Sequence, residues 1–426
     1  MLRYSPARWR GKLLQSQRKL GQAPSQKRDG GFSLFNRWKS AKRMKYANPR
    51  LDPVNARLVG LRGGRALLST PALILDIDRL DANIETMASL CASFGVNIRP
   101  HAKCHKSVNI ARLQVAAGAV GVCCATIGEA EVMAAHGITN ILITSPMVTQ
   151  DKIARACAMQ LAGAQLCLVV DNPANAREIS SACMSAEVCL DILVDVDPGM
   201  GRTGVTGQKA AINLARLIEK LPSLSYRGLQ CYAGHIQHIE PHEERETLAL
   251  QNLGALKVLC EELRLVGLAP EVVSGAGTGS FEIDGVTGVF TEIQAGSYVF
   301  MDKQYNRVLG ETGGDGPIFY NSLFVQATVI SNNYQEFVTC DAGLKHFAVD
   351  GGVPILADPS KSDITYIYCG DDHGRIIMPS GPQFQLGERV EFIVPHCDPN
   401  VNLYNHIHCV RGDMLVDIWA VDARGV

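Results

Sequence analysis

From Thr70 onward, short apolar runs alternate with stretches in which apolar residues recur every three or four positions. Residues 71–77 (PALILDI) read as a strand, and Leu80, Ile84, Met87 and Cys91 then fall at helical spacing. Strand candidates follow at 96–98, 119–123, 140–143, 166–170, 188–194, 227–231, 271–273 and 292–294, with helical patterns between most of them. Repeated strand–helix units predict a parallel sheet, and eight or nine in succession predict closure into an α/β fold of the (β/α)8 barrel type. One strand is surplus: either the first belongs elsewhere or the last is a short loop strand. After Tyr320 the pattern changes to alternation and turns, with short strands expected at 322–330, 336–340, 365–368, 389–394 and 414–420. The predicted organisation is a barrel over 70–310 and a β-rich domain built from 51–69 and 311–426.

Composition narrows this picture. A chain of 426 residues, 46% hydrophobic and 19% charged, can fill a large barrel and a second small domain. It has no apolar run near the length of about 18 that a spanning helix needs, so no membrane association is expected. The fourteen cysteines are scattered without zinc-ribbon spacing and read as reduced core residues of an intracellular protein. Residues 1–50 carry fourteen Lys and Arg against one acidic residue, Asp29, leaving the other 376 with 27 basic and 41 acidic, a net charge near −14. This leader, rich in Ser and Gln, reads as a disordered extension or a mitochondrial-type transit peptide, the expected location being cytoplasmic in the first case. The acidic body offers no phosphate-tracking groove, which argues against a nucleic-acid partner.

The chemistry gathers after the strands, where a barrel keeps its active site. Residues 99–106 read RPHAKCHK; a lysine beside other cations releases its proton more easily and can serve Schiff-base chemistry, and Lys103 is the candidate. Polar clusters also follow later strands: 126–129, 144–146, 195–202 (DVDPGMGR), 232–238 (YAGHIQH) and 274–280 (SGAGTGS). In the last, Gly275, Gly277 and Gly279 let backbone N–H groups approach an anion, with Thr278 and Ser280 adding hydroxyls. It lacks the lysine and spacing of a nucleoside triphosphate loop and is read as holding one phosphate. Lysine, phosphate cup and barrel together describe a pyridoxal phosphate site. His396 and Asp398, two apart on a segment expected to be extended, point the same way and suit a shared divalent cation.

The segments TPALILDIDRLDANI, PHAKCHK, DPGMGRTGV, QCYAGHIQH, SGAGTGS, EIQAGSYVFMD and PHCDPNVNLY resemble the D-threonine aldolase and D-serine dehydratase group over roughly residues 70–423. The resemblance implies an alanine racemase-type amino-terminal barrel, a β-rich second domain, and a homodimer with active sites near its interface. It implies Lys103 as the cofactor lysine and His238 as the catalytic histidine. Arg202 and Tyr232 would contact the cofactor ring, and Ser274, Gly275, Gly277, Thr278 and Tyr298 would complete its binding. His396 and Asp398 would hold the metal, with Mn²⁺ foremost and Zn²⁺, Co²⁺ or Mg²⁺ as alternatives, and Asp371, Asp372 and His373 would stand behind it. His235 is a second acid/base, a partner stacked on the cofactor ring, or a structural residue. In this group dehydratases carry His-x-Cys and aldolases His-x-Asp; this chain carries the latter, with Cys397 expected to point away from the ion. Cys104 departs from the small residue or threonine usual there. The implied function is retro-aldol cleavage of D-3-hydroxy-amino acids, D-threonine to glycine and acetaldehyde. A dehydratase of D-serine or D-threo-3-hydroxyaspartate, a racemase and a non-catalytic cofactor carrier are the alternatives.

Overall fold

A computed structural model describes residues 52–309 and 318–426; the basic leader and the start of the expected second-domain return lie outside them. Eight parallel strands form the barrel: β2 (Asn97–Ile98), β3 (Val122–Cys124), β4 (Asn140–Ile143), β5 (Gln165–Val170), β6 (Leu190–Asp195), β7 (Leu224–Cys231), β8 (Val272–Gly275) and β9 (Glu292–Ile293). They pair in the order β2-β9-β8-β7-β6-β5-β4-β3. The ring closes beyond the short β2, where Ile98 O accepts from Val120 N (3.0 Å) and Pro100 O from Cys123 N (2.9 Å). All eight overlap strand candidates of the sequence, although β2, β7 and β9 carry polar residues within them.

The surplus strand is the first. β1 (Ala72–Asp76) lies in the second sheet, antiparallel to β10 (Leu323–Ser331) and parallel to β16 (His406–Arg411). The expected boundary at residue 70 therefore shifts: by its hydrogen bonds the chain enters the barrel only after β1. Helix α1 (Ile77–Phe94) makes the passage, started by the Asp76 carboxylate accepting from Arg79 N and stopped at Gly95, whose φ of 74° lies in the left-handed region. Leu80, Ile84, Met87 and Cys91 are all buried along it; each larger apolar side chain so buried contributes roughly 1.5–3 kcal/mol.

The second sheet also holds β11 (Phe337–Cys340), β12 (Ile355–Leu356), β13 (Thr365–Tyr368), β14 (Gly374–Ile377), β15 (Arg389–Ile393) and β17 (Met414–Ala420). Strands β12, β14 and β16 escape the apolar alternation. In β16 the reason is His408, polar by type yet 5% exposed, because its ring nitrogens meet Leu73 O at 3.0 Å and Asp52 Oδ2 at 3.1 Å. No helix among the described residues is long and apolar enough to cross a membrane. All fourteen cysteines are free thiols.

Candidate active site

The basic cluster after β2 separates into five different environments. Arg99 turns inward, donating to Glu292 Oε1 (2.8 Å) and Asn140 Oδ1 (2.8 Å). His101 lies 3.0 Å from Thr144 Oγ1, and burial and the Lys103 charge hold its pKa well below the usual histidine value. His105 is fully buried and its pKa is lowered to about 4, chiefly by desolvation. Lys106 donates to Glu129 Oε1 (2.9 Å) and Ala423 O (3.2 Å). Lys103, on a 3-10 turn at Ala102–Cys104, has a side chain 39% exposed, with Asp398 Oδ2 at 3.8 Å. The expectation that neighbouring cations lower its pKa is corrected. Burial, the largest influence, does lower it, but the Asp398 carboxylate together with Tyr232 and Cys104 more than offsets that, and the net shift is upward.

The segment facing Lys103 comes from the second domain. The chain is extended only to His396 (φ −147°, ψ 118°) and turns into the short helix Cys397–Val401, so His396 and Asp398 do not lie on one strand as expected. Buried Asp302 fixes this turn, accepting from Cys397 N (2.8 Å) and Tyr305 N (2.9 Å). Cys397, expected to face away, lies with Sγ 3.4 Å from Asp398 Oδ1, which also accepts from Ser297 Oγ (3.2 Å). His396 Nδ1 sits 2.5 Å from Asp350 Oδ2. That pairing orients the ring and leaves Nε2 for a cation, an arrangement usual for metal-ligating histidines. Asp371 and Asp372, expected behind the metal, instead pair with Lys345 at the surface, and Asp350 stands against His396. Among the described residues no group of three or more His, Cys, Asp or Glu gathers as a metal site. One imidazole and one carboxylate still fit a divalent ion that keeps its other positions open.

His238 completes this side. Its ring packs on Tyr305 with centroids 4.9 Å apart and meets the His396 ring edge-on at 6.2 Å. Desolvation and the His396 charge lower its pKa, so it is neutral at physiological pH and able to accept a proton. Arg202 lies over the Tyr232 ring, 5.4 Å from its centroid. His235, on the turn Gly234–Ile236, is exposed.

The glycine loop after β8 is organised around a residue that the sequence reading passed over, Gln237. A Cβ on Gly277 would lie 2.5 Å from Gln237 Oε1, and one on Gly279 only 2.0 Å from Gln237 O. Gly279 N donates to Gln237 Oε1 (2.9 Å), while Gln237 Nε2 donates to Ser280 Oγ (2.8 Å), which in turn donates to buried Asp284 (2.5 Å). The glycines thus make room for the segment leading into His238, and Ser280 is spent internally. Thr278 Oγ1 accepts from Tyr298 N (3.1 Å) and Ser274 Oγ from Gln294 Nε2 (2.9 Å), so both hydroxyls still have a proton to donate. Tyr298 is a core residue: it is 2% exposed, packs on Phe319 and has its hydroxyl bonded by Gln114. Its backbone N–H bonds the loop at Thr278.

The alanine racemase N-terminal domain matches residues 75–304, and a serine dehydratase domain matches residues 322–410. The D-threonine aldolase of an Arthrobacter species is 39% identical over 364 residues, 84% of this chain and 94% of that protein. The chain belongs to the D-threonine aldolase and D-serine dehydratase family. A 3-hydroxy-D-aspartate aldolase of Paracoccus denitrificans (strain Pd 1222) is 35% identical over 84% of this chain and 92% of its own. The crystal structure of D-threonine aldolase from Filomicrobium marinum superposes with a TM-score of 0.81 at 38% identity, covering 84% of this chain and 97% of that one. This member of the family is therefore a lyase of the D-threonine aldolase type, with Lys103 and the His396–Asp398 segment facing each other across its barrel mouth.

Proposed function

We propose that this protein is a pyridoxal phosphate- and divalent-metal-dependent aldolase that cleaves D-3-hydroxy-amino acids, D-threonine giving glycine and acetaldehyde. The observation that carries the reading is Asp398, a carboxylate two residues from His396, held beside Lys103. When bound, the cofactor at Lys103 supplies an electron sink for the bond broken at Cα, and the ion on His396 and Asp398 a Lewis acid for the substrate's β-oxygen. A carboxylate keeps that ion harder than a thiolate would, which favours holding an alkoxide over expelling a hydroxide.

The chain's own residues divide the remaining work. His238 takes the hydroxyl proton on a ring nitrogen, oriented by Tyr305. Asp350 fixes the His396 ring through Nδ1. Thr278 and Ser274 offer their hydroxyl protons to the cofactor's phosphate, and Arg202 and Tyr232 border its ring. Mn²⁺ is the proposed ion and a homodimer the proposed assembly. Product analysis by mass spectrometry tests the reading: metal-loaded protein should yield glycine and acetaldehyde from D-threonine, little pyruvate from D-serine, and no turnover in chelator. Mainly 2-oxobutanoate and pyruvate would make it a dehydratase instead.

A further inference from the structure

Three residues beyond Lys103, the chain does something that the catalytic reading does not use. Lys106 has a φ of 49°, in the left-handed region that non-glycine residues rarely enter. Four interactions hold it there. Its N–H donates to Ala102 O (2.8 Å), and its carbonyl accepts from Ala423 N (3.0 Å). Its Nζ reaches Ala423 O (3.2 Å) and Glu129 Oε1 (2.9 Å), in an ion pair whose side chains are 13% and 4% exposed. Glu129 is itself fixed by Ala125 N, which donates to Oε2 (2.7 Å).

The same distant segment starts the next helix, Val108–Ala116. Its N-cap residue Ser107 makes no side-chain cap; instead Asp422 Oδ2 accepts from Val108 N (2.8 Å). Further along, Val426 packs so closely on Gly128 that a Cβ there would lie 2.7 Å from the valine Cβ. Residues 422–426 thus grip the barrel at the end of the Lys103 turn, at the start of the following helix, and at the helix Ile127–Ala135 that carries Glu129.

We propose that residues 422–426 form a clip that sets the position of Lys103, with Lys106, Glu129 and Asp422 as its positioning residues. The clip keeps the turn Ala102–Cys104 in the one backbone path that presents the Lys103 amine to the site. Its link to cofactor binding rests on the function proposed above; its effect on the turn does not.

The test uses Lys106→Met, Glu129→Gln, a deletion of residues 422–426, and the charge exchange Lys106→Glu with Glu129→Lys. Hydrogen–deuterium exchange of cofactor-free protein should show faster exchange over residues 99–110 in the first three variants. Exchange over 365–377 in the second sheet should rise far less, and the charge exchange should restore part of the protection. Pyridoxal phosphate should bind the single variants about tenfold or more weakly, as expected when a reacting group is displaced. Unchanged exchange at 99–110, or equal acceleration at both segments, overturns the clip. If wild type does not bind pyridoxal phosphate, the functional reading fails, and the exchange pattern alone still decides the clip.

Discussion

Lys103 and Lys106 lie three residues apart and each faces a carboxylate, yet their surroundings assign them opposite work. The Lys106–Glu129 pair is close, at 2.9 Å, and almost sealed from solvent. The Lys103–Asp398 pair is longer, at 3.8 Å, with side chains 39% and 19% exposed. A sealed pair has already surrendered its hydration and is held by its partner, so it cannot offer an amine to a ligand. A longer, accessible pair gives its amine up at small cost. Two chemically identical side chains in one octapeptide become a structural strut and a reactive group through how closely each carboxylate approaches and how well each pair is sealed from solvent.

Substitution should separate the two lysines most sharply. Lys103→Ala should lose covalent cofactor attachment and at least about a thousandfold in activity, while the melting temperature of the cofactor-free protein changes little. Lys106→Met leaves Glu129 charged and buried, which costs about 3–5 kcal/mol of stability, measurable by denaturant titration. A variant pair with these effects reversed would break the comparison.

A smaller effect concerns His238. Its pKa is lowered, so the neutral form needed to accept a proton persists to lower pH. The acid limb of kcat/KM, which reports the free enzyme, should therefore lie below the ordinary histidine value of about 6.5. Replacing His238 with Asn should remove that limb; an acid limb above 6.5 in the wild type would assign the proton to another group.

The barrel was legible because most of its strands carry a short apolar run ended by a polar turn, with helical spacing between them. Lys103 stood out as a lysine among other cations after a barrel strand, whereas His238 and the pairing of His396 with Asp398 were singled out through the family resemblance, an isolated HxD being weak by itself. What stayed hidden depends on which atoms meet across long stretches of chain. Asp350 is 46 positions from His396, and nothing local marks it as that ring's partner. Gln237 explains Gly277 and Gly279 only once two loops are seen in contact, so those glycines looked like a phosphate cup alone. The turn at Cys397 could not be read as helical from the five residues Cys-Asp-Pro-Asn-Val, and it needs Asp302 to hold it. Nothing local marked Lys106 as a buried strut, because its partners, Glu129 and Ala423, come from 23 and 317 positions away.

The division between the two lysines is open to one direct measurement. Protein loaded with pyridoxal phosphate is reduced with borohydride, digested, and mapped by mass spectrometry, which locates the cofactor on a single lysine. The account expects the added mass on Lys103 and an unmodified Lys106. Cofactor mass on Lys106, or an unreduced Lys103 in a protein that has retained its cofactor, would contradict it.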